Sequence, residues 1–387
     1  MRTQIFAAAM ALMLLVASPA MAETIKIGVL SDLSGPTSSV GVPYAKGVQD
    51  CVRYLNESKF LGEHTLQPLQ VDYAYNVQQA LSAYKKFKTE GIVALQGWGT
   101  ADTEALTRFV AQDKIPCFSA SYSAHLTDPK NAPYNFFVVA DYTSNLRGIL
   151  KFFKDNWKEE RAPKLAFIYP DHPYGLTPLE GGKAYAKELG YEVVGDEHVD
   201  LKAMDATSQL LALKSKAPDF CWIGGTTPST SVVLKDAQKL KMDTIFFTNI
   251  WGIDEDLFKL AGDAAEGAYT VQGASTGYDD TAGNKIILEL TGGQIPMTHY
   301  YRGFASTYVM AEAIRRALEK GTLTGEAVKN ETEALRDFDP LGLTPPVSFF
   351  PDDHRPTMTS FIYKVEGGKL VKVGTEVLER KAEWLGK

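Results

Sequence analysis

The 387-residue chain has only three cysteines and six scattered histidines, too few for a disulfide scaffold or a Cys/His metal centre. No H-E-x-x-H, no Walker A loop and no G-x-G-x-x-G after a strand occurs, so zinc-protease, nucleotide-hydrolase and dinucleotide-binding readings have no motif behind them, and no cofactor is expected. Basic blocks are missing too: 40 Lys+Arg are spread among 47 Asp+Glu for a net charge of -7. Nucleic-acid binding needs a clustered cationic face and finds none. Past the N-terminus, no apolar run approaches the roughly 20 residues of a membrane-spanning helix. What is present is a globular balance, 45% apolar and 22% charged, with 19 Phe, 18 Tyr and 5 Trp. Such a chain collapses rather than staying disordered. Its length predicts two domains, at roughly 100–200 residues each.

Arg2 is the only charge before Glu23, and an apolar run over 5–16 leads into Ser18-Pro19-Ala20-Met21-Ala22. That is the pattern of a secretory signal peptide, residues 1–22, cleaved after Ala22. No Cys stands at the cleavage point for lipid attachment. The expectation is an exported protein. Cys117 and Cys221 lie in apolar strand-like runs and Cys51 on an amphipathic helix. An odd count without close spacing favours buried thiols, and a Cys51–Cys117 bridge is the one pairing left open.

The remainder alternates strands with helices. Strands are predicted at 25–30, 66–73, 92–96, 115–119 and 135–139, with helices at 42–56, 77–88 and 102–112. The pattern then restarts, with strands at 164–169, 192–199, 219–223, 244–248 and 267–271 and helices at 176–189, 206–214 and 229–240. Alternation of this kind implies βαβ units and parallel sheets. The two passes match locally: Ala94-Leu95-Gln96-Gly97-Trp98-Gly99-Thr100 mirrors Cys221-Trp222-Ile223-Gly224-Gly225-Thr226. Beyond Gly273 come helices near 298–319 and 325–336, a turn-rich stretch at 339–346, and strands at 359–365 and 370–377. These segments are expected to complete the lobes by crossing back. Lobe one then comprises 23–139 plus 273–346, and lobe two 140–272 plus 347–387.

In open parallel sheets, ligands bind outside the carboxyl ends of the strands. The loops there are 31–41, 97–101 and 119–124 in the first lobe, and 170–175, 224–227 and 249–252 in the second. They hold glycines and small hydroxyl residues, with Trp98, Tyr122, Tyr174 and Trp251 among them. Glycine admits close backbone approach, and each following helix offers free N–H groups at its positive end. Thr100 stands at such a helix start, suited both to cap the helix and to hold a carboxylate; Ser121 and Ser123 follow the next strand.

Enzymatic readings are thin. Gly273-Ala274-Ser275-Thr276-Gly277 fits the G-x-S-x-G pattern of a hydrolase elbow, with Asp339 and His354 in the right order for a triad. An elbow needs a helix directly after its serine, whereas residues 278–283 read as loop. Asp171-His172 has no partner at metal-ligand spacing. A ligand-sensing module for a signalling partner would share every feature of a binding protein.

The start of the mature chain, Ile25-Lys26-Ile27-Gly28-Val29-Leu30-Ser31-Asp32-Leu33-Ser34-Gly35-Pro36 with Gly41 and Gly47 beyond, resembles the leucine/isoleucine/valine-binding protein family. The likeness continues through Tyr169-Pro170-Asp171-His172-Pro173-Tyr174-Gly175, Asp205-Ala206-Thr207, Pro218-Asp219-Phe220, Leu260-Ala261-Gly262 and Ala265-Glu266-Gly267. It implies a type I periplasmic-binding-protein fold, two doubly wound α/β lobes joined by three crossovers. It further implies a periplasmic, monomeric, non-enzymatic component of an ABC importer. Such a protein closes on a small-molecule carboxylate and delivers it to a membrane permease. By the same resemblance the ligand positions fall on Thr100, Ser121 (through its carbonyl), Ser123, Tyr174 and Thr226, joined by Trp98, Asn249 and Trp251 from the strand-end loops. One departure stands out. Family members that bind α-amino acids carry an acid in the loop matching Thr248-Asn249-Ile250-Trp251-Gly252, and none is present here. A hydrophobic or aromatic carboxylate is therefore an alternative to a branched-chain amino acid.

Overall fold

A computed structural model of the chain describes residues 22–387; the expected signal peptide, apart from Ala22, lies outside the described residues. The first pass builds β1 (Thr24–Ser31), α1 (Ser38–Glu57), β2 (Thr65–Asp72), α2 (Val77–Thr89), β3 (Ala94–Gly97), α3 (Thr100–Asp113), β4 (Cys117–Ser119) and β5 (Asn135–Phe136). The second builds α4 (Tyr142–Asn156), β6 (Lys164–Tyr169), α5 (Pro173–Leu176), α6 (Leu179–Glu188), β7 (Glu192–His198), α7 (Thr207–Lys214), β8 (Phe220–Ile223), α8 (Thr227–Lys239), β9 (Ile245–Thr248), α9 (Glu255–Ala261) and β10 (Tyr269–Gln272). The chain ends with α10 (Ala282–Leu290), α11 (Thr298–Glu319), α12 (Gly325–Glu333), β11 (Thr359–Glu366) and β12 (Lys369–Val377).

Two sheets result. The first has the order β2-β1-β3-β4-β5 and is parallel throughout. The second runs β12-β11-β10-β9-β8-β6-β7, parallel except for the β10–β11–β12 edge. Without β11 and β12 its order, β7-β6-β8-β9-β10, repeats that of the first sheet, so the twice-written sequence is a twice-built doubly wound layer. Helices α10, α11 and α12 return to the first sheet: Ile287, Phe304, Val309, Ile314 and Val328 share one core with Ile27, Val29, Leu95 and Phe118. The second sheet has its own core, in which Leu146, Ile149, Leu150 and Phe153 of α4 pack on Leu165, Phe167, Trp222 and Ile362. The chain thus passes between the two layers three times, after β5, after β10 and after α12.

Several elements differ from expectation. The strand expected at 135–139 shortens to two residues, because Phe137–Ala140 leave the sheet as a buried crossing. Helix α4, unread in the sequence, follows at once. Asp141 caps it, accepting from the Ser144 amide at 2.8 Å and the Ser144 hydroxyl at 2.6 Å. The single helix expected at 176–189 is two, α5 and α6, broken where Pro178 withholds an amide. Helix α10 occupies a stretch given no helix, whereas α9 starts at Asp254-Glu255, where the sequence reads as a helix start. All three cysteines are free and buried, so the Cys51–Cys117 bridge does not form.

Candidate functional site

The carboxyl ends of both sheets face each other. β3 ends at Gly97, and Trp98-Gly99 turn the chain into α3 at Thr100. Gly99 is required there, since a Cβ would run into the Asp102 carboxylate and the Tyr75 ring. The turn is pinned from below: the Tyr73 hydroxyl donates to Asp102 Oδ1 (2.8 Å) and accepts from the Gly99 amide (3.1 Å). Burial raises the Asp102 carboxyl to about 7, against the Tyr73 bond that lowers it. Across the cleft β8 ends at Ile223, and Gly224-Gly225-Thr226 lead into α8 in the same manner. Two helix N-termini, of α3 and α8, therefore open onto one space. Their first-turn amides have no intrahelical acceptor and carry the positive end of the helix dipole. Thr226 is buried and its hydroxyl has no partner among the described residues.

The space is narrow in this arrangement, about 20 Å³, and its walls are aromatic: Tyr75, Trp98, Tyr142, Tyr174 and Trp251, with Thr37, Val40 and Ala120. Trp98 and Trp251 meet edge to face at 5.3 Å, one from each layer. Trp98 Nε1 donates to Thr37 Oγ1 (2.9 Å), which Asp32 holds in turn (2.7 Å). Trp251 Nε1 donates to the Tyr142 hydroxyl (2.9 Å), and Tyr122 stacks on its ring at 5.6 Å. Tyr75 reaches the cleft from a strained turn: Ala74 and Tyr75 have φ of 49° and 59°, a conformation that costs non-glycine residues about 1–3 kcal/mol each. Its ring meets His172 of the other layer at 5.3 Å.

Of the residues expected to bind ligand, Trp98, Thr100, Tyr174, Thr226 and Trp251 line this space. Ser121 stands behind Thr100, donating to its Oγ1 at 2.9 Å, while the Ser121 carbonyl accepts from Ser119 Oγ (2.8 Å). Ser123 and Asn249 stand outside the lining. The Ser123 hydroxyl is committed to Glu104 Oε1 (2.8 Å) and to Thr177 Oγ1 of the opposite layer (2.9 Å), so it joins the layers instead of facing the cleft. Asn249 positions others: Oδ1 accepts from the Trp251 amide (2.8 Å), and Nδ2 donates to the Tyr174 hydroxyl (2.8 Å), itself 3.0 Å from the Gly225 carbonyl. Sequence reasoning missed Tyr142 and Tyr75. The signal for Tyr142 was the Asp141 cap just before it; Tyr75, between β2 and α2, had no readable signal.

Among the described residues no carboxylate or cation is on the lining. Asp254, beyond Trp251, accepts from Thr227 Oγ1 (2.6 Å), the Asp256 amide (3.0 Å) and His299 Nε2 (2.9 Å). Burial pushes the Asp254 carboxyl up, but these bonds outweigh it and hold it below the usual range. Burial, and then the charge of Arg302, push His299 down to about 4. A base with a depressed folded value costs stability as pH falls from the ordinary 6.5 through about 4, because the unfolded chain takes the proton first. His299→Gln is therefore expected to shrink the fall in melting temperature between about pH 7 and 5, read by calorimetry; an identical fall in wild type and variant would refute it.

The hydrolase constellation does not assemble. Ser275 Oγ faces Asn284 Oδ1 (3.4 Å), and α10 begins seven residues later. His354 is held by Glu333 Oε1 (2.9 Å) and the Asn135 carbonyl (3.0 Å), and Asp339 Oδ1 accepts from the Gly342 amide (2.6 Å). His172 Nδ1 accepts from the Tyr174 amide (3.3 Å) as a helix cap. Among the described residues no group of three or more His, Cys, Asp or Glu is placed to hold a metal ion.

A family profile described as periplasmic binding protein matches residues 24–369. The leucine-, isoleucine-, valine-, threonine- and alanine-binding protein of Pseudomonas aeruginosa is 21% identical over 249 residues. That match spans 64% of this chain and 65% of the relative's length. The crystal structure of an ABC-transporter substrate-binding protein from Aeropyrum pernix superposes with a TM-score of 0.87 at 30% identity, covering 94% of this chain and 98% of that one. A fatty-acid ABC-transporter substrate-binding protein from Thermomonospora curvata gives 0.82 at 20% identity, covering 94% of each chain.

Proposed function

The chain belongs to the periplasmic binding protein family, and from that premise we propose that it is the exported, periplasmic solute-binding component of an ABC importer. It captures a small hydrophobic carboxylate between its two layers, a branched-chain amino acid or a related aliphatic or aromatic acid, and delivers it to a membrane permease. It acts as a monomer and catalyses no reaction. The observation that carries the reading is the convergence of the α3 and α8 N-termini, with Thr100 and Thr226, on an aromatic-walled space. Two positive helix ends suit a carboxylate, and the rings suit an apolar body. The names of the Pseudomonas and Thermomonospora relatives, amino-acid and fatty-acid binders, fall in the same ligand class.

Capture needs no chemistry. A ligand seated on the α3 side gains Tyr174, Thr226 and Trp251 only when the layers close, so it favours the closed arrangement by those added contacts. The test is a thermal-shift panel of branched-chain amino acids, aliphatic acids, aromatic acids and their amides. A binder present at roughly 100 times its Kd stabilises the protein by about 2.7 kcal/mol. Silence across the panel would overturn the reading.

A further inference from the structure

Arg302 of α11 is fully buried, and its guanidinium lies 4.5 Å from the centre of the Trp251 ring. Nη2 donates to Gln272 Oε1 (2.5 Å); Nε and Nη1 have no partner among the described residues. The Tyr122 hydroxyl, on the ring stacked against the same indole, is buried and equally unpartnered. Buried donors without acceptors are costly and therefore few in native proteins. Here two neighbouring groups keep theirs around one wall of the cleft.

Among the described residues no side chain supplies the missing acceptor. The acids whose charge reaches Arg302 are Asp254 and Glu255, and both are engaged elsewhere. Asp254 accepts from Thr227, Asp256 and His299. Glu255 accepts from the Thr298 hydroxyl (2.6 Å) and amide (2.9 Å). His299, 5.0 Å from Trp251, is neutral near pH 7. The field of the guanidinium extends to Tyr142 and Tyr174 on the cleft wall itself.

We propose that Arg302, seconded by Tyr122, selects the charge of the ligand: an organic acid without a compensating ammonium group, in preference to a zwitterionic amino acid. The inference rests on the cleft reading above and narrows it. A carboxylate is attracted both by the two helix ends and by the guanidinium. An α-amino acid brings an added cation toward Arg302 and meets no free carboxylate on the lining. Arg302 acts at this distance as a specificity-determining residue.

The test is calorimetric titration with two matched sets: isocaproate, isocaproamide and L-leucine; hydrocinnamate, hydrocinnamamide and L-phenylalanine. Wild type is expected to bind one of the acids at least about tenfold more tightly than its amide and its amino acid. Arg302→Met is expected to weaken that acid by about tenfold or more and its amide by less than about threefold, whereas a merely structural arginine would weaken both alike. Tyr122→Phe keeps the question decidable if Arg302→Met fails to fold. It removes an unpartnered buried hydroxyl, so the unliganded variant is expected to melt no lower than wild type while binding the acid more weakly. A wild type that prefers the amino acid, an Arg302→Met variant with an unchanged acid-to-amide ratio, or a Tyr122→Phe variant with unchanged affinity would each overturn the proposal and leave the cleft reading standing. If no probe of any class binds, the cleft reading falls and this proposal with it.

Discussion

Thr100→Val is expected to raise the Kd for a carboxylate ligand by about 10- to 100-fold, the range for losing one hydrogen bond to a charged group. Valine keeps the shape of threonine and leaves the α3 amides in place, so the change isolates the hydroxyl. That hydroxyl already accepts from Ser121 Oγ at 2.9 Å, so its own proton is left to serve the cleft side, where the Tyr142 hydroxyl is its partner until a ligand takes it. Thr100→Val also strands the Ser121 hydroxyl, which is buried, and is expected to cost about 1 kcal/mol of stability. Adding Ser121→Ala removes the stranded donor. The double variant is expected to recover the melting temperature without recovering affinity. That pattern separates a ligand contact from a structural bond, and a Kd unchanged in Thr100→Val would remove Thr100 from the site.

The position of Thr100 was legible because strand, glycine turn and helix start are written consecutively, as Ala94–Gly97, Trp98-Gly99 and Thr100. The same grammar marks the loops that hold Thr226, Tyr174 and Trp251 and puts a cleft at the strand ends. Grammar does not say which way a polar group faces. Ser123 and Asn249 are also polar residues at strand ends, yet one bonds Glu104 and Thr177 and the other Tyr174 and Trp251. Those partners lie up to 75 residues away along the chain, a relation that only folding creates. Tyr142 was lost for a different reason. The stretch 135–139 reads as a strand, and it hides a crossing that delivers the chain into α4. Arg302 was invisible because α11 is buried over most of its surface, so no polar face marked one residue as unusual.

Gly303→Ala tests the packing that places both Arg302 and Tyr44. On helix propensity alone, alanine in mid-helix is better than glycine by about 1 kcal/mol. The crossing of α1 and α11 predicts the opposite sign. A Cβ at Gly303 would strike the carbonyl oxygen of Tyr44, and a Cβ at Gly47 would strike that of Tyr300. Backbone cannot swing aside as a side-chain end does, so the helices must separate along their length and open the core between them. The expected cost is about 2–3 kcal/mol in place of a gain, the scale of an overpacked core. Tyr44 packs on Trp98 at 5.2 Å and on Trp251 at 6.2 Å, so the same separation shifts the aromatic wall and is expected to weaken ligand binding as well. Gly47→Ala strains the same crossing from the other helix. Once one substitution has parted the helices the second has less to displace, and the pair is expected to cost less than the sum of the single variants. Chemical denaturation of the four proteins reads this directly, and a Gly303→Ala variant as stable as wild type would show that the crossing yields.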